Sequence, residues 1–241
     1  MKLMIDAGNT LIKSALLTGE EWLHLTPVPT TEVESMLASV AHASGVREMW
    51  VSNVAGDKVA DRLHAACKSH GWQMHLIAAQ QHQCGVSNSY GAAERLGSDR
   101  WASLIAAWAM TSQPTLVVTA GTATTIDALS AQGKFLGGLI LPGLSLMQNS
   151  LVEATAQLQR DVGCYAAFPV NTADAIWSGA LQATCGAIQR QFELLGDTQA
   201  QVLLSGGAAQ VLQGVLGMPA QRVQNLVLQG LKLIAQEESG S

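Results

Sequence analysis

The chain has 241 residues, enough for one large domain or two modest ones, and its 13 basic and 18 acidic residues give a formal net charge of −5. The acidic balance and the lack of any Lys/Arg cluster argue against nucleic-acid binding. No apolar run approaches the roughly 20 residues of a membrane span, and the N-terminus lacks a secretory signal, so we expect a cytoplasmic protein with no membrane partner. Hydrophobic residues make up 48% of the chain, which favours a large core and an apolar partner surface, most simply that of a homodimer.

Strands and helices are predicted to alternate along the first half of the chain. The apolar residues 2–6 predict a strand, with a hairpin partner around Leu16 and Leu17. The next predicted elements are a helix over 31–45, a strand over 49–55, a helix over 59–71 and a strand over 74–79. Residues 85–100 are rich in loop signals, and Ser98 is expected to cap a helix that continues through WASLIAAWAMT. Such alternation is typical of the α/β class.

The second half repeats the opening arrangement. After Pro114 the strand TLVVT leads into a glycine turn, AGTATTID, and GKFLGGLILPG predicts a strand pair. Helices are expected over 143–160 and 172–195, followed by the strand QVLLSGG, an apolar terminal helix and a frayed tail, EESGS. Two strand-led glycine loops, after residues 6 and 119, predict a duplicated architecture of two α/β halves with a cleft between them.

The first loop, DAGNTLIK, places a carboxylate at the end of a strand and several donors just after it. Glycine permits the backbone conformations of an anion cradle, so the N–H groups around Gly8 suit a phosphate. Asn9 and Thr10 add side-chain donors, Lys13 adds a cation, and Asp6 can hold the magnesium ion that accompanies a nucleoside triphosphate. The alternative is a plain hairpin in which Asp6 and Asn9 only cap turns.

Two further loops favour the phosphate-binding interpretation. AGTATTID brings Gly121 and the hydroxyl of Thr122 to the end of a second strand, and LLSGG forms a third loop. No GxxxxGK[ST] run occurs, so a Walker-type loop does not explain them. In this order the loops resemble the two phosphate loops and the adenosine loop of the actin-like ATPase superfamily, which includes acetate and sugar kinases.

A candidate acceptor site lies in YGAAERLGSDRW, residues 90–101. Phosphoryl transfer to an alcohol needs a group that takes the hydroxyl proton and positions the oxygen, and Asp99 is the natural candidate. The Arg100 guanidinium can bind an acceptor carboxylate through two parallel N–H groups, and Tyr90 offers a phenol. The alternative is that Ser98 and Asp99 only start a helix.

Five motifs together resemble one family, the type III pantothenate kinases: DAGNTLIK, Tyr90 with LGSDRW, AGTATTID, GGLILPG and NTADAIWSG. The resemblance implies two actin-like (ribonuclease H-like) α/β halves flanking a nucleotide cleft. Residues 1–105 would carry the first phosphate loop and the acceptor loop, and residues 106–241 the second phosphate loop and the adenosine loop. It also implies ATP-dependent phosphorylation of the primary hydroxyl of pantothenate to 4′-phosphopantothenate, the first step of coenzyme A biosynthesis.

The resemblance also implies roles for individual residues. ATP phosphates would contact Asp6, Ala7, Gly8, Asn9, Thr10, Leu11, Ile12, Lys13 and Thr122, with magnesium held at Asp6 through water. Pantothenate would contact Tyr90, Gly97, Ser98, Asp99, Arg100 and Thr172, with Asp99 as the proton acceptor. In the family the site is completed across a homodimer interface, so the implied partners are ATP, pantothenate and a second copy of the chain.

One position departs from the family pattern. Members usually carry an aspartate directly before the second glycine loop, where it binds an activating monovalent cation such as potassium or ammonium, and this chain has Thr119 there. A neutral hydroxyl is a weaker cation ligand than a carboxylate. We therefore predict weakened or absent potassium dependence. Asp127 could compensate, although the sequence favours a role for it at the end of the strand.

Two other functions compete with pantothenate phosphorylation. One is a kinase that acts on another small hydroxy acid or a sugar, and the stretch from Tyr90 to Trp101 argues against it because it resembles pantothenate kinases. The other is a kinase-like regulatory accessory protein without catalysis. The presence of Asp6, Lys13 and Asp99 argues against that alternative.

Overall fold

The computed structural model describes residues 1–41, 45–154 and 162–240. Its strands are β1 (Lys2–Ala7), β2 (Leu11–Thr18), β3 (Glu21–His24), β4 (Val28–Pro29), β5 (Glu48–Asn53), β6 (Gln73–Leu76), β7 (His82–Gln83), β8 (Val86–Ser87), β9 (Thr115–Ala120), β10 (Ala123–Leu129), β11 (Phe135–Pro142), β12 (Gln201–Ser205) and β13 (Gln221–Arg222). Its α-helices are α1 (Val33–Ala41), α2 (Asp57–His70), α3 (Ser98–Thr111), α4 (Leu144–Ala154), α5 (Thr172–Leu195), α6 (Ala209–Val215) and α7 (Leu226–Gly240). Short 3-10 helices cover Thr30–Glu32 and Ala93–Arg95.

The described chain forms two compact units. The first combines Met1–Ala109 with the terminal helix α7, and the second is Met110–Asn225. The N-terminal segment of the first unit ends at Ala109, whereas the sequence-based division was placed at residue 105. The helix α7 joins the first unit, whereas the sequence-based division placed everything after residue 105 in the second half.

The first unit is built on a sheet with strand order β3-β2-β1-β5-β6, in which β1 runs antiparallel to β2 and parallel to β5. Alternate residues of these strands face a core beneath α1 and α2, with Leu3, Ile5 and Val51 fully buried there. Helix α2 stops at Gly71, whose φ of +68° provides a left-handed cap that few other residues adopt readily. The opposite face of the sheet is covered by α7, which contacts β1 and β5.

The second unit has the same plan. Its sheet order is β11-β10-β9-β12-β13, with β9 antiparallel to β10 and parallel to β12. One face buries Leu116, Val118 and Leu204 against α5 and α6. The two matching sheets confirm the predicted α/β class with two halves.

Two predicted details are wrong. GKFLGGLILPG is not a strand pair but the single strand β11, because Gly137, at φ +136°, accommodates a β-bulge opposite Ala128 and Leu129 instead of a turn. Of the predicted frayed tail EESGS, residues 237–240 instead form the last turn of α7, and residue 241 lies outside the described residues. That turn is held because Glu237 accepts the Cys84 N–H at 2.9 Å and Ser239 accepts from the Lys2 ammonium at 2.9 Å.

The other predicted helices correspond to observed ones. The expected helix over 172–195 is confirmed as α5. The expected helices over 31–45 and 143–160 are present as α1 and α4, and their residues 42–44 and 155–160 lie outside the described part. No helix within the described residues is long and apolar enough to cross a membrane.

Candidate functional site

The first glycine loop is the tip of the hairpin between β1 and β2. The Gly8 N–H donates to the Leu11 carbonyl at 3.1 Å, and a Cβ on Gly8 would lie 3.1 Å from the same oxygen. Thr30 holds the loop from the other side, because its hydroxyl donates to the Gly8 carbonyl at 2.8 Å and its N–H to the Thr10 carbonyl at 3.1 Å. The Gly8 amide is therefore used inside the hairpin, and the loop presents the exposed side chains of Asn9 and Thr10.

A row of three polar residues crosses the first sheet just before this loop. Asp6 of β1 lies opposite Lys13 of β2 and, on its other side, beside Ser52 of β5. Residues in register on neighbouring strands share a face, so the three side chains lie on the face away from the α1 and α2 core. The proximity of Asp6 and Lys13 that the sequence predicts follows from the short hairpin.

The Asp6 carboxylate is electrostatically unusual. Burial raises its pKa from 3.8 to about 6, the charge of Lys13 opposes that rise, and the charge of Asp99 adds to it. Asp99 is thus close enough to Asp6 for their charges to interact, although the two residues are far apart in the sequence. The structure brings the predicted proton acceptor and the predicted magnesium ligand to one place.

The helix α3 presents Asp99 in its first turn. The Asp99 Oδ1 accepts the Arg100 N–H at 2.8 Å, and a Cβ on Gly97 would lie only 2.6 Å from that same oxygen. A side chain at position 97 would therefore clash with the Asp99 carboxylate. The Trp101 N–H donates to the Gly97 carbonyl at 3.0 Å, so Gly97 and not Ser98 stands at the cap position, and the expected capping role of Ser98 is wrong.

Arg100 and Tyr90 meet beside this helix start. The Arg100 guanidinium, on a side chain that is 7% exposed, donates to the Tyr90 hydroxyl at 3.3 Å. Asn88 shapes the Tyr90 loop, because its Oδ1 accepts the Tyr90 N–H at 3.0 Å and its Nδ2 donates to the Ala93 carbonyl at 3.2 Å. Asn88 was not predicted from the sequence, where its only signal is an asparagine two positions before Tyr90 in a loop.

In the second unit, three glycine segments converge at the end of β9. The turn Gly121–Thr122 joins β9 to β10, and the Gly143 N–H donates to the Thr122 carbonyl at 2.9 Å. A Cβ on Gly143 would lie 2.2 Å from the Gly121 oxygen, and one on Gly206, at φ +92°, would lie 2.3 Å from the Ala120 oxygen. The second and third predicted loops therefore pack together, with Gly143 as a further close contact that the sequence did not reveal.

Thr119 is the counterpart of Asp6 in the duplicated sheet. Both are the penultimate residue of the central strand, and Thr119 lies opposite Thr125 of β10 and beside Ser205 of β12. Hydroxyls therefore stand where the first unit has Asp6, Lys13 and Ser52. Asp127 is buried in the middle of β10 opposite Val117, so the expectation that it finishes the strand is wrong.

Thr172 is the first residue of α5 and is exposed. It follows Asn171, whose side chain caps the helix by accepting the Asp174 N–H at 2.9 Å. Of the predicted site residues, the first unit holds those of the first loop and those at 90 and 97–100, and the second unit holds Thr122 and Thr172.

A magnesium ion fits Asp6 on chemical grounds. No group of three or more His, Cys, Asp or Glu side chains among the described residues could hold a metal by itself. Magnesium that accompanies a nucleotide needs only one or two carboxylates, because phosphates and water complete its shell. Burial raises the pKa of Asp6 in spite of the opposing charge of Lys13, and a divalent cation bound there would favour the charged carboxylate.

The Asp6 pKa predicts an unusual pH dependence of stability. The folded pKa is about 6 against an ordinary 3.8, so between these values the folded chain keeps a proton that the unfolded chain releases, and stability falls as pH rises. Asp6→Asn removes this cost. We expect the variant, measured without metal or nucleotide, to be more stable than the parent at pH 8 and to lose that advantage at pH 4.

Urea unfolding at pH 8, 6 and 4 checks this expectation. Asp57→Asn, which alters an exposed carboxylate at the start of α2, serves as the control and should show no comparable gain at pH 8. An Asp6→Asn chain less stable than the parent at pH 8 would show that Lys13 outweighs burial.

Comparison with known proteins gives one family over most of the chain. A family model for type III pantothenate kinase matches residues 2–194. A type III pantothenate kinase of Aromatoleum aromaticum is 45% identical over 242 residues, with 100% of each chain covered.

Solved structures show the same fold. One from Campylobacter jejuni, provisionally described as a conserved Baf family transcriptional activator, has a TM-score of 0.64 at 22% identity and covers 99% of this chain and 100% of its own. Another from Sinorhizobium meliloti, provisionally described as a 2-dehydro-3-deoxygalactonokinase, has a TM-score of 0.61 at 13% identity, with 98% and 96% covered. These likenesses agree with the predicted α/β fold of two halves. The family model and the full-length relative show that the chain belongs to the type III pantothenate kinase family.

Proposed function

We propose that the chain transfers the γ-phosphoryl group of ATP to the primary hydroxyl of pantothenate, giving 4′-phosphopantothenate and ADP in the first step of coenzyme A biosynthesis. The observation that carries the proposal is the meeting of Asp99 with Asp6 and Lys13 at one locus of the first unit. A proton acceptor, a carboxylate for magnesium and a cation are the groups that phosphoryl transfer to an alcohol requires.

The chain supplies a group for each part of the transfer: the proton, the phosphate charge and the acceptor carboxylate. The pantothenate hydroxyl oxygen forms a bond to the γ-phosphorus while the bond from that phosphorus to the bridging oxygen breaks, and Asp99 takes the hydroxyl proton. Lys13 stabilises charge on the phosphates, and magnesium, when bound at Asp6, supplies further charge neutralisation. The Arg100 guanidinium, which also donates to the Tyr90 hydroxyl, binds the pantothenate carboxylate.

The remaining assignments follow the family resemblance. We assign ATP phosphates to the segment Asp6 to Lys13 and to Thr122, and pantothenate to Tyr90, to Gly97 through Arg100 and to Thr172. The exposure of Asn9, Thr10, Thr122 and Thr172 supports contact with small molecules. We place the reaction in the cytoplasm.

We also propose that a second copy of the chain covers an apolar surface of the second unit. Large apolar side chains are exposed in β11, in α4 and in the segment 162–170 before α5: Leu136, Leu139, Ile140, Leu146, Leu151, Val162, Phe168 and Val170. Large exposed apolar patches on soluble proteins mark interaction sites, and a second copy of the chain is the partner that we propose for these side chains. The segment that carries Phe168 and Val170 leads directly to Thr172, and this supports a pantothenate site completed at a homodimer interface.

The row of hydroxyls around Thr119 predicts a weak response to potassium. The positions beside it carry Thr125 and Ser205, and neither offers the negative charge that a carboxylate would. We expect turnover rates in potassium and sodium buffers to agree within about twofold, and we expect Thr119→Asp to respond more strongly to potassium than the parent chain.

ADP release from purified protein with magnesium and ATP tests the proposed reaction and the inference from Thr119. Release that requires pantothenate and does not occur with a sugar acceptor supports the proposed reaction. Absence of pantothenate-dependent release in either salt would overturn it. Strong activation of the parent chain by potassium, with pantothenate-dependent release intact, would overturn only the inference from Thr119.

A further inference from the structure

Two buried serines join the helix that carries Asp99 to the sheet that carries Asp6. The Ser52 and Ser98 hydroxyls lie 2.9 Å apart, and either can be the donor. Ser52 is fully buried and Ser98 is 7% exposed. A hydrogen bond between two such hydroxyls is not in competition with bulk water, so losing either partner leaves the other buried and unsatisfied.

The positions of the two serines connect the two reacting sides of the site. Ser52 lies beside Asp6 in the parallel pairing of β1 and β5. Ser98 is the first residue of α3 and directly precedes Asp99 and Arg100. The hydroxyl pair is therefore a direct side-chain link between the strand next to the magnesium ligand and the helix start that carries the proton acceptor.

A helix start needs such a link to hold a side chain in a fixed place. The Asp99 carboxylate folds back over Gly97 and accepts the Arg100 N–H, so its position follows the backbone of residues 97–100. A displacement of about 1 Å in a catalytic group can cost roughly a hundredfold in rate. Small shifts of the first turn of α3 would therefore lower the turnover rate.

We propose that Ser52 is a positioning residue for the reaction, which fixes the first turn of α3 against β5 through Ser98 and so holds Asp99 and Arg100 in place relative to Asp6. The inference rests on the proposed function. Ser52 touches neither substrate and acts only through Ser98.

Single and double alanine variants test the link. We expect Ser52→Ala to lower kcat/KM for pantothenate about tenfold while the KM for ATP changes less than about twofold, because the first loop is not attached to α3 through this pair. The double variant Ser52→Ala/Ser98→Ala should be no more impaired than the worse single variant, since the hydrogen bond that Ser52→Ala breaks is already lost in Ser98→Ala, whatever else Ser98 contributes to pantothenate binding.

Ser14→Ala is the matched control. Ser14 is also buried on a strand of the first sheet, and its hydroxyl has no hydrogen-bond partner among the described residues. Ser52→Ala activity equal to that of Ser14→Ala would overturn the proposal. So would a double variant whose loss equals the product of the two single losses.

Hydrogen exchange separates this proposal from the proposed function. In Ser52→Ala, and not in Ser14→Ala, the amides of residues 98–104 should exchange faster than in the parent chain. Unchanged exchange there would overturn the positioning role. If the parent chain failed to phosphorylate pantothenate, the proposed function would fall, and the exchange result would still decide whether Ser52 holds the start of α3.

Discussion

The Asp99→Asn variant is expected to lose about a hundredfold or more in kcat, because an amide cannot take the proton of the attacking hydroxyl. The substitution keeps the shape of the side chain and an oxygen that can accept the Arg100 N–H, so the start of α3 should be undisturbed. Removing the Asp99 charge also removes one cause of the raised pKa of Asp6. The KM for ATP should therefore stay the same or fall.

Steady-state kinetics with both substrates varied checks this result. Asp57→Asn is the matched control, since Asp57 also lies in the first turn of a helix but is exposed and belongs to no part of the site. Turnover by Asp99→Asn within a few-fold of the control would remove Asp99 from the role of proton acceptor.

The stability of the fold is expected to depend strongly on Gly230 in α7. Gly230→Ala is expected to lower the free energy of unfolding by about 3 kcal/mol, because overpacking a close contact costs this much when the backbone must move. A Cβ on Gly230 of α7 would lie 2.0 Å from the Ala102 carbonyl oxygen and 2.7 Å from the Ala102 Cα in α3. Moving either helix would cost packing energy, since Ala102 is fully buried and the clash is with backbone atoms.

Gly186→Ala provides the comparison. Gly186 lies inside α5, is exposed, and has nothing within 4 Å of an added Cβ. Alanine there should stabilise the chain by about 0.5–1 kcal/mol through helix propensity. Urea unfolding followed by circular dichroism should give shifts of opposite sign for the two variants. A Gly230→Ala midpoint equal to that of the parent would mean that α3 and α7 do not approach as closely as described.

Residues close together in the sequence could be predicted to lie together in the site. Asp6 and Lys13 face each other because a three-residue loop joins two antiparallel strands, and Asp99 and Arg100 begin a helix whose apolar pattern was clear. The same local logic failed in GKFLGGLILPG, where two adjacent glycines indicated a turn. Glycine at positive φ serves a bulge as well as a turn, and only the pairing with β10 distinguishes the two.

Contacts that depend on strand register could not be predicted. Ser52 and Ser98 meet only because β5 lies beside β1 and α3 begins above them. Gly143 is needed because β11 returns to the second glycine turn. The close approach of α7 to α3 at Gly230 likewise follows from tertiary packing that brings residue 230 to residue 102. No local pattern at any of these positions carries that information.

If this chain phosphorylates pantothenate with Asp99 as the proton acceptor, the parent chain and Asp99→Asn should differ in both products of the reaction. Mass spectrometry of the reaction mixture, with ADP quantified in parallel for the two proteins, measures both products. We expect one phosphopantothenate for each ADP from the parent chain, and a loss of both products together in the variant. ADP accompanied only by inorganic phosphate, or undiminished phosphopantothenate from Asp99→Asn, would contradict this expectation.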